Sequence, residues 1–133
     1  MERLKRIQFY GRTPDDDHLV REILAGLKTA TVSRTFEYDH ADGEFDDGGW
    51  EVGDLVEVYD LRQRLRATIR ITEVYPVRFG AIPERLWRAE VCRSAEHFRQ
   101  AHRECWPDTD LTDDYPLVAM HFELVSIADS QPD

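Results

Sequence analysis

The chain has 133 residues, 41% hydrophobic and 11% aromatic, which suits one domain hiding roughly two thirds of its unfolded surface without a metal or disulfide staple. Seventeen lysines and arginines stand against 27 acids, a net charge of -10. That balance disfavours a broad nucleic-acid surface but leaves room for a small ligand or a single nucleotide held in a pocket. No apolar run approaches the roughly 20 residues of a membrane span. The start, MERLKRIQF, lacks a signal-peptide core, and Cys92 and Cys105 read as reduced thiols, so the expectation is a cytoplasmic protein with no cofactor.

In chain order, Ile7, Phe9 and Tyr10 suggest a short strand closed by Gly11. Residues 13–26, TPDDDHLVREILAG, predict a helix with Thr13 as N-cap, Pro14 at the first position, acids in the first turn and Gly26 at the stop. From Thr29 to Thr35 the period turns strand-like. Residues 38–49 are polar and Gly-rich and predict a loop. Their acids do not form an EF-hand, since Asp47 occupies the required Gly position and Gly53 the closing Glu position.

Residues 55–59, LVEVY, predict a strand, and residues 64–77 predict a longer one. In the latter, Leu65, Ala67, Ile69 and Ile71 alternate with outward Arg66, Thr68, Arg70 and Thr72. Two helices follow. Pro83 opens one around Glu84 to Glu90, and Ser94 caps another reaching about Cys105, with Ala95, Phe98, Ala101 and Cys105 on its buried face. A last strand, LVAMHFELV at 117–125, puts Val118, Met120, Phe122 and Leu124 on one side, and the final SIADSQPD reads as a frayed tail. The fold class is α+β: five or six strands curled around a core, with helices between them, as one domain over 1–126 and a tail at 127–133.

Lys28, in the stretch GLKTATVS at 26–33, sits just past a helix stop, where a lysine ordinarily offsets the helix dipole from solvent. Thr31 lies three residues on, and a lysine of lowered pKa can take a proton from a hydroxyl nucleophile. Strand alternation groups Thr29, Thr31 and Ser33 on one face, and the pattern does not choose among them. Glu90 falls one turn after the inward Leu86 and Trp87, so its carboxylate is expected to be half buried or to pair with Arg88 or Arg93. His102 and Cys105 could share a helix face as metal ligands, but no third or fourth ligand is evident, and no metal is expected.

Taken in order, QFYG (8–11), ILAGLKTATVS (23–33), VGDLVEV (52–58), IRITEVYPVRF (69–79), AEVCRS (89–94), FRQAHRECW (98–106) and PLVAMHFELV (116–125) resemble the ASCH domain, a branch of the PUA-like superfamily. The most specific element is G-x-K-T-x-T. The resemblance implies a small mixed β-barrel with helices packed around it, and a role in binding RNA or nucleosides. One bacterial branch hydrolyses the acetyl amide of N4-acetylcytidine with a lysine, a threonine and a glutamate, which fall here on Lys28, Thr31 and Glu90. Another branch is implicated in RNA cleavage, again with the motif lysine. The chain departs from the family in having Val91 where glycine often follows the glutamate, and Ser33 followed by Arg34 where arginine is common two places after the threonine.

The leading expectation is a metal-independent hydrolase of a small modified nucleoside. Thr31 attacks the acyl carbonyl, Lys28 accepts its proton and then stabilises charge, and Glu90 protonates the leaving amine or positions water. The substrate-binding set is Tyr10, Ser33, Arg34, Trp50 and Arg93, with Tyr10, Phe36, Tyr38 or Trp50 as the flat wall for the base. The alternatives are a binding module for single-stranded RNA or a nucleotide, contacting phosphates through Lys28, Arg34 and an exposed Arg66/Arg70 row, and a metal-independent endoribonuclease.

Overall fold

A computed structural model of the chain describes residues 3–9, 11, 13–39 and 45–129. Tyr10 and part of the predicted 38–49 loop lie outside these residues. Five strands, β1 (Lys5–Gln8), β2 (Ala30–Arg34), β3 (Leu55–Tyr59), β4 (Leu65–Arg78) and β5 (Pro116–Ile127), form one sheet in the order β1-β3-β4-β5-β2. Only β1 and β3 run parallel; all other neighbours are antiparallel. Among the described residues, four helices accompany them: α1 (His18–Leu24), α2 (Thr35–Asp39), α3 (Glu84–Ala89) and α4 (Ala95–Cys105). The architecture is the expected mixed α+β one. No helix among the described residues is long and apolar enough to cross a membrane.

The sheet turns on β4, whose first half pairs with β3 and which follows β5 from Ala67 to Arg78, with register shifts at Thr68/Ile69 and Ile71/Glu73. Such bulges bend a strand and increase its twist, which curls a five-stranded sheet around its own side chains. Strand β5 is buried on both faces. Met120 and Phe122 join Ile7, Phe9, Val20, Ile23, Trp50, Ile69 and Ile71 in one core. Leu117 and Ala119 point the other way, into a second core with Ala30, Val32, Phe79, Leu86 and Phe98. One apolar row was legible as strand alternation. The other follows because a strand covered on both sides becomes a continuous apolar run.

Several boundaries differ from expectation. Helix α1 begins at His18, not near Thr13, and its N-cap Asp17 makes no side-chain cap. That carboxylate is committed elsewhere, to Arg66 and Arg21. Thr35, predicted to end a strand, opens α2. Arg66 is buried while Leu65 is exposed, the reverse of the predicted alternation. The cause is the irregularity at Val58/Tyr59, where Tyr59 pairs with Leu65 and Val58 with Ala67, so Arg66 is stepped over. Cys105 is exposed, because the inward stripe of α4 runs Phe98, His102 and on to Trp106. The predicted tail begins too early: Ser126 and Ile127 belong to β5, and the Ala128 N–H donates to Arg66 O at 3.0 Å.

Candidate active site

Two helix ends of the same construction build the site. At the end of α1, Gly26 takes φ +77°, its N–H donates to Ile23 O at 3.0 Å, and the Leu27 N–H donates to Glu22 O at 2.9 Å. This is the Schellman arrangement, in which a left-handed residue turns the chain back and satisfies the last carbonyls. It throws Leu27 outward and Lys28 inward. Helix α3 ends the same way: the Val91 N–H donates to Arg88 O at 3.0 Å and the Cys92 N–H to Trp87 O at 2.8 Å, with Val91 in the left-handed position at φ +61°. The two ends are stitched together by the Thr29 N–H, which donates to Ala89 O at 2.8 Å. Lys28 and Glu90 flank that bond.

The Lys28 ammonium donates to Glu90 Oε1 at 3.0 Å and to Ala30 O at 2.9 Å. Their side chains are only 2% and 6% exposed. The Phe9 ring covers the cation, with its centroid 5.8 Å from Nζ. The second carboxylate oxygen, Glu90 Oε2, is buried with no hydrogen-bond partner among the described residues. Facing it at 3.7 Å is His102 Nε2. The His102 ring is stacked on Phe98 at 4.0 Å and tilted against Trp106 at 5.2 Å, and its Nδ1–H donates to Phe98 O at 2.8 Å.

The Glu90 charge is felt by its neighbours. Burial, and then the Glu90 carboxylate, push the Cys92 thiol up to about 11, which leaves it a poor nucleophile. Burial and the nearby Arg85 push His121 below its ordinary value, against the opposing pull of Glu73 and Glu90. Burial raises Tyr75, whose hydroxyl lies 2.7 Å from His121 Nε2. A protonated phenol donating to a neutral imidazole fits both shifts.

None of the other predicted residues makes a hydrogen bond or ion pair with Lys28 or Glu90 among the described residues. Thr31 is half-buried in β2 on the face shared with Met120, opposite to Ala30 and Val32, and its hydroxyl makes no hydrogen bond among the described residues. Ser33 shares that face. Arg34 donates to Glu37 Oε1 at 2.8 Å and Thr109 Oγ1 at 2.7 Å, and its guanidinium lies between the rings of Phe36 and Trp106. Trp50 is no wall for a base: it is 2% exposed and packed in the core with Val56 and Ile71. Tyr38 is likewise engaged, its hydroxyl donating to Trp50 O. Arg93 is exposed in the turn before α4, where its N–H donates to His97 Nδ1. The sequence reading missed His102, Tyr75 and His121 as neighbours of Glu90. For His102 a signal existed in Phe98, His102 and Trp106, spaced at one helical turn.

A family model described as the ASCH domain matches residues 5–126. The chain belongs to the ASCH domain family. This ASCH domain is similar in fold to solved structures at low identity. A protein of Enterococcus faecalis matches with a TM-score of 0.72 and 21% identity, over 92% of this chain and 77% of its own. An ASCH domain from Lactobacillus crispatus matches with a TM-score of 0.70 and 21% identity, over 89% of this chain and 77% of its own. An ASCH protein from Zymomonas mobilis, solved as a serine-to-alanine mutant, matches with a TM-score of 0.57 and 11% identity, over 92% and 70% of the two chains. At these identities the likeness is one of fold. Comparison with curated proteins found no significant match to this ASCH domain.

Proposed function

We propose that this ASCH domain is a metal-independent hydrolase of a small acylated nucleoside, with an N4-acetylcytidine-like amide as the leading substrate and Lys28 and Glu90 as the reacting pair. The observation that carries this reading is the buried Lys28–Glu90 contact with one oxygen left over. Burying two charges costs several kcal/mol per ion, and a pair kept only for stability is expected to satisfy its remaining lone pairs. Glu90 Oε2 does not.

The geometry supports a change in the roles expected from the family. An ammonium that already donates to Ala30 O and Glu90 Oε1 has a third N–H to offer and no lone pair. Lys28 therefore polarises the acyl oxygen and stabilises the charge that develops there. Glu90 Oε2 is the group with a lone pair to spare, and it takes the proton of the nucleophile and returns it to the leaving nitrogen. Thr31 is the nucleophile in this reading, assigned by the family motif and unencumbered by hydrogen bonds among the described residues.

The test is release of cytidine from N4-acetylcytidine by the purified protein with a chelator present. Lys28→Met, Glu90→Gln and Thr31→Val are each expected to lower kcat by at least ~10²-fold, the scale of a positioned acid–base or oxyanion group. Absence of turnover by the unaltered protein across a panel of acylated nucleosides refutes the reading, as does an undiminished rate in Lys28→Met.

A second reading, a non-catalytic binding module, is favoured by one observation: Arg34 lies over the exposed Phe36 ring, with Trp106 on another side. A cation flanked by aromatic faces is a platform on which a base can stack. Arg66 takes no part in such a platform, since it is buried against Asp17 and Asp60.

A further inference from the structure

Within the reacting core, His102 is held more firmly than a filler residue requires. A carbonyl oxygen can only accept, so the 2.8 Å contact between Nδ1 and Phe98 O puts a proton on Nδ1. The ring is then held by stacking on Phe98 and by a tilted contact with Trp106. What remains is Nε2, and it points at Glu90 Oε2, the buried oxygen that neither Lys28 nor any other described group partners. The nearby groups that sense the Glu90 charge, Tyr75, Cys92, Cys105 and His121, come from β4, the turn after α3, α4 and β5. None of them donates a hydrogen bond to Oε2.

A neutral imidazole with its proton on Nδ1 presents a lone pair at Nε2, and a carboxylate presents another at Oε2. At 3.7 Å the gap is too long for a hydrogen bond, so the contact fixes position rather than bonding the two groups. We infer that His102 is the positioning residue of Glu90: held through Nδ1 and Phe98, its ring sets where Oε2 stands across the 3.7 Å Nε2–Oε2 gap. This rests on the hydrolase reading of the Lys28–Glu90 pair. In the acylation half, the Thr31 Oγ–C bond forms as its proton passes to Oε2. The C–N bond of the amide breaks as Oε2 passes that proton on to the departing nitrogen. In the second half, water replaces the amine: its proton takes the same route to Thr31 Oγ as the ester C–O bond breaks. One water is consumed, and the pair ends with the protons it began with.

A purely structural His102 would be replaceable by another flat ring, which distinguishes the two roles. His102→Phe keeps a ring against Phe98 but no nitrogen facing Oε2, and His102→Gln keeps a polar end but no ring. In both, kcat on N4-acetylcytidine is expected to fall about 10²-fold, the low end of acid–base contributions, with KM within about twofold. The second readout needs no activity: the ring-nitrogen NMR spectrum of His102 in the intact protein. Glu90→Gln is expected to move the Nε2 resonance while Nδ1 keeps the shift of a protonated nitrogen. Wild-type kcat in both His102 variants overturns the inference. If the unaltered protein hydrolyses nothing, the hydrolase reading fails by itself, and the NMR arm judges the pairing: a Nε2 resonance indifferent to Glu90→Gln overturns it.

Discussion

At Val91 the backbone takes φ +61°, a conformation that glycine adopts freely and a β-branched residue resists. The equivalent position at the end of α1 is Gly26, at φ +77°. The valine is therefore the strained member of two otherwise matched helix stops, and it directly follows Glu90. Strain of this kind costs on the order of 1–3 kcal/mol and is found where a site needs it. Val91→Gly is expected to raise unfolding stability by about 1 kcal/mol, because relieved strain exceeds the added flexibility of the unfolded glycine chain. Urea unfolding measures this, and a variant no more stable than the parent would mean that the half-exposed valine side chain packs well enough to offset its backbone. The departure from glycine was visible in the sequence; its consequence needed the dihedral angle. Lys28 gives the same lesson in reverse. Local pattern assigned it to solvent, and the structure buries it against a carboxylate 62 residues away.

Between elements, the buried guanidinium of Arg66 ties the start of α1 to the β3–β4 connection through Asp17 at 2.6 Å and Asp60 at 3.1 Å. Burial pushes the Asp17 carboxyl up, but the hydrogen bond from Arg66 and the charges of Arg21 and Arg66 outweigh it and hold the group below the usual carboxylate range. Asp60 is treated alike: burial raises it, and hydrogen bonds from Arg64 and Arg66 more than compensate. Both folded carboxyls are depressed, so the unfolded chain binds more protons in acid. Their stabilisation is present above about pH 4, the unfolded value, and is lost as pH falls through the depressed folded values. Arg66→Met should cost about 3–5 kcal/mol at neutral pH, since it leaves buried carboxylates without their shared cation. The gap between parent and variant should narrow below about pH 4. Chemical denaturation at a series of pH values checks this, and a gap that does not change with pH contradicts the assignment. No pattern of alternation could reveal the arrangement, because a bulge in the neighbouring strand decides which way Arg66 faces.

For the molecule as a whole, the net charge of -10 separates the two functional readings. A neutral nucleoside entering a buried site releases no counterions, so its KM should stay within about twofold between 50 and 200 mM salt. An RNA strand held by phosphate contacts would lose affinity steeply over the same range. Titration of N4-acetylcytidine turnover and of a short single-stranded RNA across that range discriminates them. A steep salt dependence of nucleoside KM would contradict a buried neutral-substrate site.

The sequence by itself determined the α+β class, most of the strands, the Ser94 cap and the glycine stop after α1. These depend on local spacing and on the backbone preferences of single residues, which a linear pattern records. It also carried the family motif that singled out Lys28, Thr31 and Glu90. Tertiary structure alone decided that Lys28 and Glu90 meet, because their contact follows from two helix ends joined by the Thr29–Ala89 hydrogen bond. It likewise brought His102 to the open carboxylate oxygen and took Trp50 and Arg66 out of reach of a ligand. Charge pairing in a protein interior depends on which segments are packed together, and that information is spread over the whole chain.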